Sequence, residues 1–132
     1  MSLQLKRNDQ QTVINITEQF LKFYYTQLNS KDFSQILPHL RDYTIYSSQK
    51  VRYRGQDILN YFNHLKTINA NFDKIDYDTL HSGAKRINVL VTGEINYLNN
   101  GLTTKSHFSE FIHFGSDSDG NMWIQTSMFK IL

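Results

Sequence analysis

Apolar and polar residues alternate along three long segments at the end of the chain: Arg86–Leu98, Thr104–Gly115 and Met122–Leu132. Because successive side chains of a β-strand point to opposite faces, this alternation predicts three long strands. Apolar residues fall on both predicted faces, so the sheet needs two covers. The helices of the chain cover one face of the sheet. The other face, which needs a different cover, is where we expect a functional surface.

The two predicted faces can be assigned residue by residue. In the middle segment Glu110 shares a face with Phe108, Ile112 and Phe114, while the opposite face carries His107, Ser109, Phe111 and His113. In the last segment the pattern groups two sets: Met122, Ile124, Thr126, Met128 and Lys130 on one face, and Trp123, Gln125, Ser127, Phe129 and Ile131 on the other.

Helical periodicity dominates the first half of the chain. Apolar residues at three- and four-residue steps predict a long helix over Asp9–Asn29, with a stripe of Val13, Ile16, Phe20, Phe23, Tyr24 and Leu28. The remaining predicted elements are a short helix at Phe33–Leu40, strands at Tyr43–Ser47 and Lys50–Tyr53, a helix at Gly55–Leu65 and a strand at Asn71–Leu80. Helices followed by a long sheet predict an α+β fold, in which the long helix lies in the hollow of a curved antiparallel sheet.

Composition narrows the class of protein. A chain of 132 residues predicts a single domain over residues 1–132, with residues 1–9 as a flexible start. Cysteine is absent, which excludes disulfides and a thiol nucleophile. The sequence has no apolar signal-peptide core and no run of about 20 apolar residues, so we expect no membrane insertion. A net charge of +2 gives little support for nucleic-acid binding, and we interpret the cluster Lys50, Arg52 and Arg54 as a solvated strand edge.

Several segments together resemble the nuclear transport factor 2-like family. They are Phe20–Leu28 (FLKFYYTQL), Tyr53–Leu65 (YRGQDILNYFNHL), the Gly93 segment Val91–Glu94, His107–Phe114 and the closing WIQTSMFKIL. The resemblance extends from about Val13 to Leu132 and keeps the element order. It implies a cone-shaped roll, in which a bent sheet wraps around a long helix and two shorter ones. It also implies dimers formed through the open face of the sheet.

Within the family the chain most resembles the eukaryotic transport branch, and there the small cofactor of the mRNA export receptor. Relatives that carry Ran-GDP grip it with acidic residues, and the matching positions here are Gln49, Leu98 and Asn100. The loss of these carboxylates removes steering and charge-assisted bonds, which argues against Ran binding. The resemblance implies a protein partner, which is either a similar domain or a second copy of this chain. It also implies help in binding nucleoporin Phe-Gly repeats, and a location in nucleus and cytoplasm near the nuclear pore. The interaction domain of a stress-granule scaffold or deubiquitinase cofactor is an alternative.

The same fold hosts isomerases and hydrolyases, so catalysis is a further alternative. Such an enzyme needs an acid or base held inside the cone, and the candidates are Tyr24, Tyr25, Tyr46, Asp76, Asp78, Glu94, Glu110, His107 and His113. We interpret Glu110 as a cross-strand ion pair with Lys105 or Lys130, or as an interface contact. His107 and His113 are about 20 Å apart along one strand, too far to share a metal. We therefore expect no catalytic residue, no metal and no cofactor.

The second face of the closing strands is the predicted partner surface. A monomer seldom leaves a large aromatic patch in water, and aromatic residues dominate interface energetics. The predicted interface residues are Phe111, His113, Trp123, Gln125, Phe129 and Ile131.

Overall fold

The computed structural model describes residues 10–81, 87–116 and 121–132, so the start predicted to be flexible, residues 1–9, lies outside it. The helices are α1 (Gln10–Ser30) and α2 (Asp57–Thr67), and two 3₁₀ turns lie at Phe33–Gln35 and Leu37–His39. The strands are β1 (Ile45–Ser48), β2 (Val51–Arg54), β3 (Asn71–His81), β4 (Ile87–Asn99), β5 (Leu102–Ser116) and β6 (Met122–Ile131). The predicted α+β class is confirmed, with every element near its predicted place. Neither described helix is long and apolar enough to cross a membrane.

α1 forms where the sequence pattern predicts it and packs the described part of its apolar stripe against the core. Phe20, Tyr24 and Leu28 are buried, and the ring of Phe20 lies 5.1 Å from that of Phe114 on the sheet. The helix ends at Ser30 because Lys31 takes a positive φ of 65°. The Lys31 ammonium group then donates hydrogen bonds to the carbonyls of Asn29 and Ala70, which ties the helix end to the start of β3.

The six strands form one sheet in the order β2-β1-β6-β5-β4-β3. Neighbouring strands run antiparallel except β1 and β6, which pair in parallel. The turn between β1 and β2 is tight because Gln49 and Lys50 both adopt positive φ, at 50° and 70°, the conformation that a two-residue hairpin turn requires. The predicted sheet was antiparallel throughout. Sequence periodicity does not reveal which strand of the sheet the β1–β2 hairpin pairs with, so the parallel pairing of β1 with β6 was missed.

The long strands bend at two irregularities in their pairing. The first lies between Asp73 and Asp76 of β3, where the register with β4 shifts. Gly93 of β4 faces this shift, and a Cβ there would lie 2.8 Å from the carbonyl oxygen of Asp73 and 2.9 Å from the ring of Phe108. The glycine therefore permits a close approach that no other residue allows, and bulges of this kind increase strand bending.

The second irregularity changes which residues of β6 face inward. His113 pairs with Thr126 while Phe114 pairs with Ile124, so Gln125 is an extra residue in β6. One inserted residue moves all later side chains to the opposite face. The predicted faces of β6 are therefore wrong beyond Gln125. The inner face carries Met122, Ile124, Ser127, Phe129 and, partly buried, Ile131, while Met128 and Lys130 are exposed.

The inner face of the sheet and both helices enclose an aromatic core. Rings from the sheet contact one another, as in Phe72 and Phe108 at 5.0 Å. α2 reaches the same core through Tyr61, whose ring lies 5.3 Å from that of Tyr46 on β1. Because both helices pack on this side, no described helix covers the opposite or outer face of the sheet.

We predict that Gly93→Ala destabilises the protein by about 1–3 kcal/mol, because the added methyl group overpacks a site bounded by backbone. Urea unfolding measures the free energy. Thr92→Ala is the matched control, since Thr92 neighbours Gly93 on β4 but is exposed. Equal stability of the two variants would contradict the close approach of β3 to Gly93.

Candidate functional site

An exposed apolar row crosses the outer face of the sheet. Leu90 of β4 pairs with Phe111 of β5, which in turn pairs with Met128 of β6, so the three side chains stand side by side. Their exposed fractions are 43%, 37% and 60%. We call Leu90, Phe111 and Met128 the outer apolar row. Large exposed side chains in one contiguous line are typical of interaction surfaces.

A recess lies beside this row. Its volume is about 540 Å³. Its walls come from the β1–β2 hairpin and from the middle of β5 and β6, and the lining residues are Ser47, Gln49, Lys50, Ser109, Phe111, Met128, Phe129 and Lys130. We call it the outer recess. Three of the lining residues are apolar, namely Phe111, Met128 and Phe129, and two are lysines.

The two edges of the outer face carry unlike charges, although Lys74, which is ion-paired with Glu94, also belongs to β3. Asp76 and Asp78 are on β3, whereas Arg52 and Arg54 are on β2. Within the described part of the chain, the ion pairs join Glu94 to Lys74 at 3.3 Å and to Lys105 at 2.9 Å. The edge aspartates and arginines therefore have no ion pair with another described residue.

Four predicted interface residues lie on or next to the outer face. Phe111 belongs to the outer apolar row, and His113 is half-buried beside it on β5. Trp123 is also half-buried, because a Cβ at Gly115 would lie 2.8 Å from its ring, and the guanidinium of Arg41 stands 4.7 Å from the ring centre. The Trp123 indole N–H donates to the side-chain oxygen of Gln125 at 3.2 Å. Trp123 is thus a packed part of the sheet, with limited surface left for a partner.

The two remaining interface residues do not face outward. Phe129 is only 4% exposed and packs inside, 5.8 Å from the ring of Phe108 and 6.4 Å from that of Tyr61. Ile131 packs partly against the same core. The extra residue at Gln125 is the reason, because it turns Phe129 inward and leaves Met128 outside. The prediction missed Met128 since strict alternation placed it on the other face.

A buried carboxylate lies at the centre of the inner face. Glu110 is 1% exposed and accepts three hydrogen bonds, from the hydroxyls of Tyr24 (2.9 Å), Tyr25 (2.7 Å) and Ser127 (2.6 Å). The Tyr46 hydroxyl lies 3.0 Å from that of Tyr24 and extends the network. The predicted ion pair of Glu110 with Lys105 or Lys130 is wrong. Lys105 pairs with Glu94 on the outer face instead.

Three elements supply Glu110 and the hydroxyl groups that donate to it. Consecutive residues of α1 supply Tyr24 and Tyr25, β5 supplies Glu110, and β6 supplies Ser127. Burial raises the pKa of the Glu110 carboxyl, while the hydrogen bonds from Ser127, Tyr25 and Tyr24 act against that shift. Burial also raises the pKa values of Tyr24 and Tyr25, and the nearby carboxyl of Glu110 adds to the shift.

The other residues considered for catalysis do not join this network. Asp76, Asp78, Glu94, His107 and His113 lie on strands β3 to β5 at positions that alternate with the inward-facing residues. No group of three metal-ligating side chains occurs among residues 10–81, 87–116 and 121–132. Glu110 has the hydrogen-bonding groups of an acid–base site, but a substrate would reach it only if the core opened.

Comparison with known proteins identifies the fold. No family model and no curated protein matches the chain. Among solved structures, nuclear transport factor 2 from Cryptosporidium parvum is similar, with a TM-score of 0.76 and 21% identity over 97% of this chain and 99% of that chain. The Mtr2-Mex67 M domain complex of C. albicans is similar too, with a TM-score of 0.74 and 12% identity over 90% and 94% of the two chains.

A third similar structure shows the functional breadth of the fold. It is a ketosteroid isomerase-like protein from Erwinia carotovora atroseptica, with a TM-score of 0.69 and 15% identity over 83% of this chain and 88% of that chain. These likenesses show that the chain has the nuclear transport factor 2-like cone fold. Because transport factors and isomerase-like proteins share it, function must be argued from the site.

We predict that Glu110→Gln removes a pH-dependent loss of stability. The folded pKa of Glu110 is raised above its ordinary value of 4.5. The contribution of this carboxyl to the free energy of unfolding is therefore fully present below that pH. It is lost as pH rises through the folded pKa. The unfolding free energy of the wild type, minus that of the variant, should therefore fall as pH rises, as measured by urea unfolding at a series of pH values.

Glu94→Gln is the control with the opposite sign. The hydrogen bond from Lys105 lowers the pKa of Glu94, so the stability that Glu94 contributes is lost as pH falls through its folded pKa. The unfolding free energy of the wild type, minus that of Glu94→Gln, should therefore rise with pH. A flat profile for Glu110→Gln would mean that the carboxyl has the same pKa in the folded and unfolded chain.

Proposed function

We propose that this protein is a non-enzymatic nucleocytoplasmic transport cofactor that pairs its outer sheet face with a domain of the same fold in an mRNA export receptor. The observation that carries the proposal is the outer apolar row, exposed on a face that the two helices leave uncovered. Full burial of a Leu, Met or Phe side chain contributes about 1.5–3 kcal/mol. Three such residues in one line supply a hydrophobic centre for a protein interface.

The structural neighbours support this choice of partner. One of them is a complex between two proteins, Mtr2 and the Mex67 M domain, and another is a nuclear transport factor 2. The proposal places this transport cofactor in both nucleus and cytoplasm, at the nuclear pore. Help in binding nucleoporin Phe-Gly repeats is part of the proposal and follows from the family resemblance.

Two other functions fit the residues less well. Ran-GDP import would need acidic side chains at the positions that match those of the Ran-binding relatives, where the chain has Gln49, Leu98 and Asn100. An isomerase or hydrolyase would use Glu110, the one inward-facing carboxylate with several hydroxyl donors among the described residues. Its 1% exposure leaves a substrate no access without opening of the core. A transport cofactor requires neither those acidic side chains nor access of a substrate to Glu110.

The test is a binding experiment with identified partners. The tagged chain is used to capture proteins from lysate of the source cell, and mass spectrometry identifies what is retained. We expect an mRNA export receptor; recovery of Ran in its GDP form instead would overturn the proposal. The receptor domain is then purified and its affinity measured directly by titration calorimetry.

We predict that Phe111→Glu weakens receptor binding by at least tenfold, about 1.4 kcal/mol, because a charge is buried at the centre of the interface. Leu102→Glu is the matched control, since Leu102 is 71% exposed at the β4–β5 turn and away from the outer apolar row. Circular dichroism checks that both variants fold. Equal affinities of the two variants would exclude the outer face as the binding surface.

A further inference from the structure

The outer recess has an apolar pair and a polar pair that lie side by side on the sheet. Phe111 pairs with Met128 across β5 and β6, and Ser109 pairs with Lys130. Residues two apart on a strand point to the same face, about 7 Å from each other. Because both pairs line the recess, an apolar surface and a lysine are separated by only that distance.

A second lysine lines the recess from the β1–β2 turn. Lys50 is part of this turn and has a positive φ of 70°. Ser48, at the end of β1, pairs with Phe129 of β6. The turn that follows Ser48 therefore lies beside Lys130, and the two lysines belong to the same end of the recess.

No described carboxylate neutralises these two lysines. None of the described lining residues is acidic. The Glu110 carboxylate points to the inner face, where three hydroxyl groups donate to it. Within residues 10–81, 87–116 and 121–132, the ion pairs are those that Glu94 makes with two other lysines. Lys50 and Lys130 thus have no ion pair with another described residue.

The size and the lining of the recess suit a small molecule. Its volume of about 540 Å³ lies within the range of roughly 300–1,000 Å³ that is typical of ligand pockets. Such pockets combine apolar side chains with a few polar groups that orient the ligand, and here Ser47 and Ser109 add hydroxyl groups. The flexible thioether side chain of Met128 adapts to ligands of irregular shape. The matching ligand has an apolar body and one anionic group.

From this arrangement we infer that the outer recess binds a medium-chain fatty acid. The alkyl chain lies on Phe111 and Met128, and the carboxylate lies at Lys130 and Lys50. Phosphate or acetate alone lacks the apolar chain, and an amphipathic cation meets two charges of its own sign. The site lies on the opposite face of the sheet from Glu110, so it does not require the core to open.

The inference goes beyond the proposed function, because it concerns a small ligand that the chain binds alone. It has one consequence that rests on the proposed function. Phe111 belongs both to the recess and to the outer apolar row. A bound fatty acid therefore competes with the receptor domain for the same face.

The test is a titration of the ¹⁵N-labelled full chain with decanoate below its micelle concentration, followed by NMR. We expect saturable one-to-one binding, with the largest amide shifts at Ser47, Ser109 and Met128. Octanoate should bind about three- to tenfold more weakly, because two methylene groups are lost from an apolar contact. Acetate should give no saturable shifts at the same concentrations.

Charge reversal tests the role of the lysines. Lys50→Glu combined with Lys130→Glu should weaken decanoate binding at least about tenfold, because two attractive charges become repulsive. The same variant should bind decyltrimethylammonium at the recess, which the wild type should not. Lys66→Glu is the matched control, since Lys66 is an exposed lysine of α2 that does not line the recess. Circular dichroism verifies that both variants fold.

Three results would each overturn the inference. The first is equal decanoate affinity of the charge-reversed variant and the Lys66→Glu control. The second is a set of shifts centred on Tyr24 and Ser127, which would place the ligand inside the cone. The third is a titration that does not saturate. None of these results affects the proposed function, since no receptor domain takes part. Conversely, decanoate binding by a chain that captures no export receptor would remove the export function and keep the inference.

Discussion

One extra residue in β6 determines both faces of this protein. Gln125 has no partner in β5, and every side chain after it points to the opposite side from the one that strict alternation predicts. Ser127 therefore reaches Glu110 in the core, and Phe129 joins the buried rings. The same shift leaves Met128 outside, next to Phe111. The insertion thus adds Ser127 to the buried hydroxyl network and Met128 to the outer apolar row.

The two faces serve different purposes because they are covered differently. The inner face is closed by α1 and α2, and its buried carboxylate, Glu110, is satisfied by three hydroxyl donors, as a buried polar group requires. The outer face carries the apolar row, a recess and opposite charges at its edges. The inner face therefore stabilises the fold, and the outer face is the surface available to a partner.

The polar network inside the core has a cost that bears on function. Burial of Glu110 raises its pKa, and a well-packed apolar group at the same place is often as stable as a buried charge. The network also holds α1 against β5 and β6 through Tyr24 and Tyr25. We interpret Glu110 as a residue that fixes how the helix sits on the sheet.

Sequence periodicity by itself determined the helices, the strands and the α+β class, because burial on one face imposes a period of 3.6 on a helix and of two on a strand. It also placed Phe111 and Glu110 on opposite faces of β5. It could not determine the partners of Glu110, the parallel pairing of β1 with β6, or the inward turn of Phe129. Those depend on hydrogen bonds between distant segments and on one unpaired residue, and only the tertiary structure decides where the register between two strands shifts.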